Sequence, residues 1–135
     1  MTASDLIDLD RLTSFRYGVV TWIDKEGFPF SVASDFVLSE NGEILLKKPN
    51  VPVLLPRDKV AVLFNHITGI PGVGYGDRRY MLVWGKVVED KGFLKLYPEE
   101  LSEWDEKIVP FDKLCAAAAP QGQKYLASLQ PSIEA

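Results

Sequence analysis

Residues 17–48, YGVVTWIDKEGFPFSVASDFVLSENGEILLKK, read as three β-strands joined by two tight turns. Lys25-Glu26-Gly27 and Asn41-Gly42 each put a glycine where a hairpin needs positive φ, with β-forming residues on either side. The strands are expected at about 17–24, 30–38 and 43–48. Phe28, Phe30, Val32 and Ser34 alternate with Pro29, Ser31, Ala33 and Asp35, so one face is mostly apolar and the other small and polar. A flat ligand can approach such a face.

Elsewhere the pattern changes character. Leu6, Leu9, Leu12 and Phe15 recur at three-residue spacing behind Ser4, which predicts a short N-terminal helix capped by Ser4 and covering one end of a barrel. Pro49, Pro52 and Pro56 lack amide donors, so residues 49–58 read as a crossing segment with a helical turn near Val53. KVAVLFNH at 59–66 predicts a central strand buried on both faces, and RYMLVWGKVVE at 79–89 another strong strand. Between them, 67–78 holds four glycines and a proline and reads as a long connection, either an irregular functional loop or a flexible surface hairpin. Asp90-Lys91-Gly92 turns the chain into a short strand at 93–97. Gly85, beside Trp84, weakens a strand interior and predicts a bulge or a close backbone approach. From Pro98 onward a helix start at Pro98-Glu99-Glu100 and two short helices, 111–119 and 121–129, separated by Pro120, are expected to pack on the barrel's outside. Six strands followed by helices predict a mainly β chain, an antiparallel barrel with helical decoration, rather than βαβ units.

Length agrees with one domain over 1–135, its barrel at about 16–97 and a helical segment at about 98–130. Apolar residues make up 47% and charged residues 25%, which excludes a disordered chain. The net charge of −4 and scattered basic residues argue against a nucleic-acid partner. The acidic N-terminus lacks the basic and apolar regions of a signal peptide, and no apolar run is long enough for a membrane span, so a cytoplasmic protein is expected. Cys115 has no internal disulfide partner and reads as a buried structural thiol in a helix.

Few constellations carry chemistry. Gly72-Val73-Gly74-Tyr75-Gly76 runs into a strand rather than a helix, which excludes a dinucleotide fingerprint, and no Walker sequence is present. A single histidine, His66, excludes a multi-histidine metal site; it either bonds locally or meets a ligand at the end of its strand. Lys47 and Lys48 point to opposite sides of a strand, and either serve a phosphate or form a solvated strand end. Trp22 and Trp84 are expected to fill the core, or else to wall a planar ligand.

With these elements in order, the chain resembles the pyridoxamine 5′-phosphate oxidase-like, FMN-binding split-barrel superfamily. The residues that carry the resemblance are Gly18 to Pro29 (GVVTWIDKEGFP), Val60 to His66, and Tyr80 to Val88. It implies a six-stranded antiparallel split barrel, a homodimer, and FMN between the subunits, with FAD, a deazaflavin coenzyme or haem as alternatives. It also implies an oxidoreductase that passes electrons between a small-molecule donor and acceptor, or a non-catalytic flavin- or haem-sensing module. The cofactor site it implies comprises Phe30, Ser31, Val32, Ala33 and Ser34 along the ring, Lys47, Lys48 and Asn50 at the phosphate, and His66 and Tyr75 toward the partner side. Phe30 and Ser34 stand where many relatives carry arginine or histidine and proline, and the arginine pair of true pyridoxamine phosphate oxidases has no counterpart.

Overall fold

The computed structural model describes residues 3–48 and 59–133. Six antiparallel strands close into a barrel: β1 (Tyr17–Ile23), β2 (Pro29–Leu38), β3 (Ile44–Lys47), β4 (Val60–Ile70), β5 (Gly74–Asp90) and β6 (Phe93–Asp105). Their order around the wall is β1-β2-β3-β6-β5-β4, so β1 pairs with both β2 and β4 and seals the ring. Gly27 and Gly42 have φ of 87° and 76°, as the hairpin reading of the opening meander requires. The expected crossing segment at 49–58, with Asn50, lies outside the described residues.

Strict alternation builds the core. Val20 and Trp22, Ile44 and Leu46, Val60, Val62 and Phe64, Met81 and Val83, and Leu94 and Leu96 all point inward and are buried. At the N-terminus, two short helices, α1 (Ala3–Leu6) and α2 (Leu9–Leu12), replace the single one expected. Ser4 lies within α1, and the cap is Asp8, whose carboxylate accepts hydrogen bonds from the amides of Asp10 and Arg11 at 3.1 and 3.2 Å. An aspartate that bonds the next amides starts a new helix rather than continuing an old one. Ile7, Leu12 and Phe15 still enter the core, where Phe15 meets Phe64 at 6.3 Å.

Four readings are overturned or narrowed, each for a physical reason. β4 is buried on one face only: Ala61 and Leu63 on the other are half-exposed, because none of the described residues covers that side of the barrel. Residues 67–78 form the β-hairpin of the two alternatives, since β4 and β5 run past the barrel as a two-stranded arm from Thr68↔Gly76 to Ile70↔Gly74. The third concerns Pro98. β6 continues through it to Asp105, with one extra residue, Glu99, bulging between the pairs Gly85↔Pro98 and Trp84↔Glu100. A bulge tolerates a residue without an amide, and it switches the inward parity from Leu94 and Leu96 to Leu101, which hides the strand's alternation from a period-two reading. The approach at Gly85 is so close that a Cβ there would overlap the Tyr97 carbonyl.

The fourth is the C-terminus, a single 23-residue helix, α3 (Phe111–Ile133), that runs through Pro120. The strong helix formers at 116–119 carry the chain across the one backbone bond that proline removes. Nor does α3 lie on the barrel. Among its described side chains Leu114 alone is half-buried, and Cys115 is exposed rather than a core thiol. Its root is fixed where Trp104 Nε1 donates to the Val109 carbonyl at 2.9 Å and Phe111 packs on Trp104 at 6.1 Å and under the Arg78 guanidinium at 4.2 Å.

Asp77 clamps the base of the β4–β5 arm. Its carboxylate accepts from Arg79 at 2.9 Å and lies 3.2 Å from His66 Nε2 and 3.7 Å from Lys107. The Arg79 hydrogen bond, followed by the charges of Arg79, Lys107 and His66, holds this carboxyl below the usual range against an opposing effect of desolvation.

Two measurements check these contacts. Gly85→Ala should lower unfolding stability by about 3 kcal/mol or more in denaturant titration, because β5 and β6 must separate to admit a methyl group; an unchanged midpoint contradicts the close approach. A depressed aspartate stabilises the fold above its unfolded value and loses that contribution as pH falls through the folded one. The Tm difference between the protein and Asp77→Asn should therefore be largest near neutral pH and shrink in acid below the ordinary aspartate value. A pH-independent difference would remove the clamp from the account.

Candidate functional site

The alternation of β2 divides the residues that the sequence grouped into one cofactor site. Phe30 and Val32 pack against the core, and Ser34 is 6% exposed. The Ser34 Oγ donates to the carbonyls of Lys47 at 2.6 Å and Asp35 at 3.0 Å, which ties β2 to the end of β3. Ser31 and Ala33 face outward and are exposed. Trp22 lies in the core, 5.0 Å from Phe30, whereas Trp84 stands half-exposed on the outside.

Registers extend the outward face across four strands. Ser31 pairs with Thr21, Thr21 with Ala61, and Ala61 with Trp84. One row along, Ala33 pairs with Val19, Val19 with Leu63, and Leu63 with Leu82. The two rows make an outer patch of small and aliphatic side chains with an indole at one edge. Thr21 Oγ1 and Ser31 Oγ are 2.7 Å apart, so the hydroxyls on the floor already satisfy each other while keeping acceptor capacity toward solvent. Val19, Thr21, Ala61 and Leu63 escaped the sequence reading. Their signal was present as the odd positions of two strands whose even positions are the core, but it becomes a site only once the register joins the strands.

The lysines separate as adjacent strand residues must. Lys48 Nζ meets the Glu89 carboxylate at 2.6 Å, and its amide donates to the Gly92 carbonyl at 3.2 Å. Lys47 is exposed on the outward side of β3, next to the outward Asp35–Tyr17 pair. His66 sits at the foot of the arm, its Nε2 within 3.1 Å of Thr68 Oγ1 as well as beside Asp77, and Tyr75 projects from the arm at 64% exposure. The structure thus brings Ser31, Ala33 and Lys47 to one outer surface. It places His66 and Tyr75 on the arm, and Phe30, Val32 and Ser34 inside. Among the described residues, no three histidine, cysteine or acidic side chains gather in a metal-binding group, and no helix is long and apolar enough to cross a membrane.

Charge on the β5–β6 side is internally balanced. Lys59 bridges Glu100 at 3.1 Å and Glu99 at 3.3 Å, and these hydrogen bonds, Glu100 first, hold its ammonium above the ordinary lysine value. Lys95 pairs with Glu43 and lies 5.3 Å from the Tyr97 ring. Lys47 on β3, like Lys86 on β5, has no ion pair among the described residues, unlike Lys48, Lys59 and Lys95.

No family model and no curated protein matches the chain. Two solved structures share its architecture. The FAD binding protein from Mycobacterium smegmatis superimposes with a TM-score of 0.52 at 15% identity, over 76% of this chain and 93% of that one. The conserved hypothetical protein Rv2991 from Mycobacterium tuberculosis superimposes with a TM-score of 0.54, also at 15% identity, over 79% of this chain and 91% of its own. At this identity the likeness establishes the barrel fold.

Proposed function

We propose that this chain is a flavin-binding protein of the pyridoxamine 5′-phosphate oxidase-like kind, with FMN as the preferred cofactor. The observation that carries the reading is the outer floor of small side chains, Ser31, Thr21, Ala61, Ala33 and Val19, on a barrel of the same fold as a protein described as FAD binding. A planar ring system needs a surface without protruding side chains, and hydroxyls at its edge give polar ring atoms a partner. The residues present fit that group: Ser31 and Thr21 face the ring, Trp84 limits it on one side, and Lys47 is the cation available to a phosphate. Lys48, neutralised by Glu89, holds the β5–β6 turn instead.

A bound flavin supplies two-electron chemistry, and the protein's part is to orient it, shield one face and admit a small donor and acceptor to the other. A second copy of the chain closes the open side of the floor in this reading, so that the ring lies between subunits. His66 gives little support to the haem alternative, because its Nε2 is already held between Thr68 and Asp77.

Titration with FMN, FAD and riboflavin, read by quenching of flavin fluorescence and by Tm, tests the proposal directly. Saturable quenching with a raised Tm is expected, tightest for FMN; no effect of any flavin on either readout overturns the reading. Ala33→Trp, an exposed substitution on the floor, should abolish binding while leaving the unliganded Tm within a few degrees. Lys47→Ala should weaken FMN about tenfold, as expected for one charge-assisted contact, and leave riboflavin unchanged. Equal loss for both ligands would remove Lys47 from the phosphate role.

A further inference from the structure

Beyond its root at Phe111, helix α3 carries an apolar surface that is left exposed by the described residues of its own barrel. At about 3.6 residues per turn, Phe111 and Leu114, then Ala118 and Gly122, then Tyr125, Leu126 and Leu129 fall on one side, with Asp112, Lys113, Gln123 and Lys124 around the rest. Tyr125 and Leu126 are each 64% exposed. The root is fixed by Trp104, Val109 and Phe111, and from Cys115 to Leu129 every side chain is exposed, so among the described residues none covers this part of the stripe.

Gly122 gives a second and independent indication. A glycine inside a helix costs about 1 kcal/mol relative to alanine. Here a Cβ would meet nothing within 4 Å, so packing within the chain gives no reason for its absence. A glycine in the middle of an apolar stripe suits the close approach of another backbone. The stripe is bulky at both ends and small at the centre, a pattern that is complementary to itself when reversed.

We propose that α3 pairs antiparallel with α3 of a second copy of this chain, crossing at Ala118 and Gly122. In that register Phe111 opposes Leu129 of the other copy, Leu114 opposes Leu126, and Cys115 opposes Tyr125. Each contact occurs twice, as a two-fold interface requires. The helix is about 34 Å long, and a strip of that length on a cylinder about 10 Å across removes roughly 600 Å² per subunit, about 1,200 Å² in all, the lower limit for a specific stable interface. The pairing stands without the flavin reading, since it uses no residue of the floor.

Sedimentation of the full chain at tens of micromolar should show a dimer. Leu126→Glu should raise the dimer Kd tenfold or more while leaving the far-ultraviolet circular dichroism unchanged. Tyr125→Cys, oxidised with diamide, should give a covalent dimer through native Cys115 of the other copy, and the same variant with Cys115→Ser should not; ten residues of helix keep the two thiols of one chain about 15 Å apart. A monomeric protein, or a dimer indifferent to Leu126→Glu, overturns the proposal. So does a dimer that Leu126→Glu dissociates but that does not cross-link, because α3 then docks on some other surface of the second copy. A flavin-binding dimer indifferent to Leu126→Glu would sink this pairing alone, whereas a cross-linked dimer indifferent to flavin would sink the functional reading alone.

Discussion

The backbone contact between Gly85 and the Tyr97–Pro98 peptide governs the barrel. β5 and β6 are its longest strands and form its longest ladder, and β6 must also turn its leucines inward toward β3. With uniform alternation, Leu96 and Leu101 would face opposite sides of β6. The extra residue at Glu99 reverses the parity midway, so both pack against the core. That reversal needs a position on β5 where the bulged backbone can come within van der Waals contact, and Gly85 provides it by having no Cβ.

A closed barrel with strict alternation has two chemically independent surfaces. The inner one is filled by side chains, with Ser34 as its buried polar residue, and that hydroxyl is spent on two backbone carbonyls. Among the described residues the barrel interior is a packed core. On the outside, Ser31, Thr21, Ala61 and Ala33 have side chains too small to cover the sheet beneath them. Uncovered sheet of this kind is unfavourable in a monomer unless a ligand or a second chain removes it from water.

The sequence was most legible where local rules act alone. Gly27 and Asn41-Gly42 located the first two hairpins, the apolar runs located β4 and β5, and Gly85 announced its own bulge. It was misleading where two rules compete. Pro98 followed by two glutamates has the local chemistry of a helix start, but pairing to β5 on one side and Leu101 packing on the core outweigh it. Pro120 has the chemistry of a helix break, but the alanines before it carry the helix through. Of the candidate site, the strand could be read and its facing could not be used: a list of neighbours along β2 mixes core with surface, and a floor made by four strands exists only in the register between them. The lysine pair shows the same limit, since which of the two is free depends on Glu89, far away in the chain.

The two uncovered surfaces differ in a way that bears on what each is for. The floor is made of side chains with little to bury, so its affinity for a flat ligand rests on shape and on a few polar atoms at the edge. The α3 stripe concentrates its apolar area in Phe111, Tyr125 and Leu126 at the two ends, and has its close-approach glycine between them. Bulky residues flanking a small centre favour helix-to-helix contact over contact with a pleated sheet, because a neighbouring helix can enter the central gap while a sheet of alternating side chains cannot fill it evenly. The chemistry of each surface thus assigns it a different occupant.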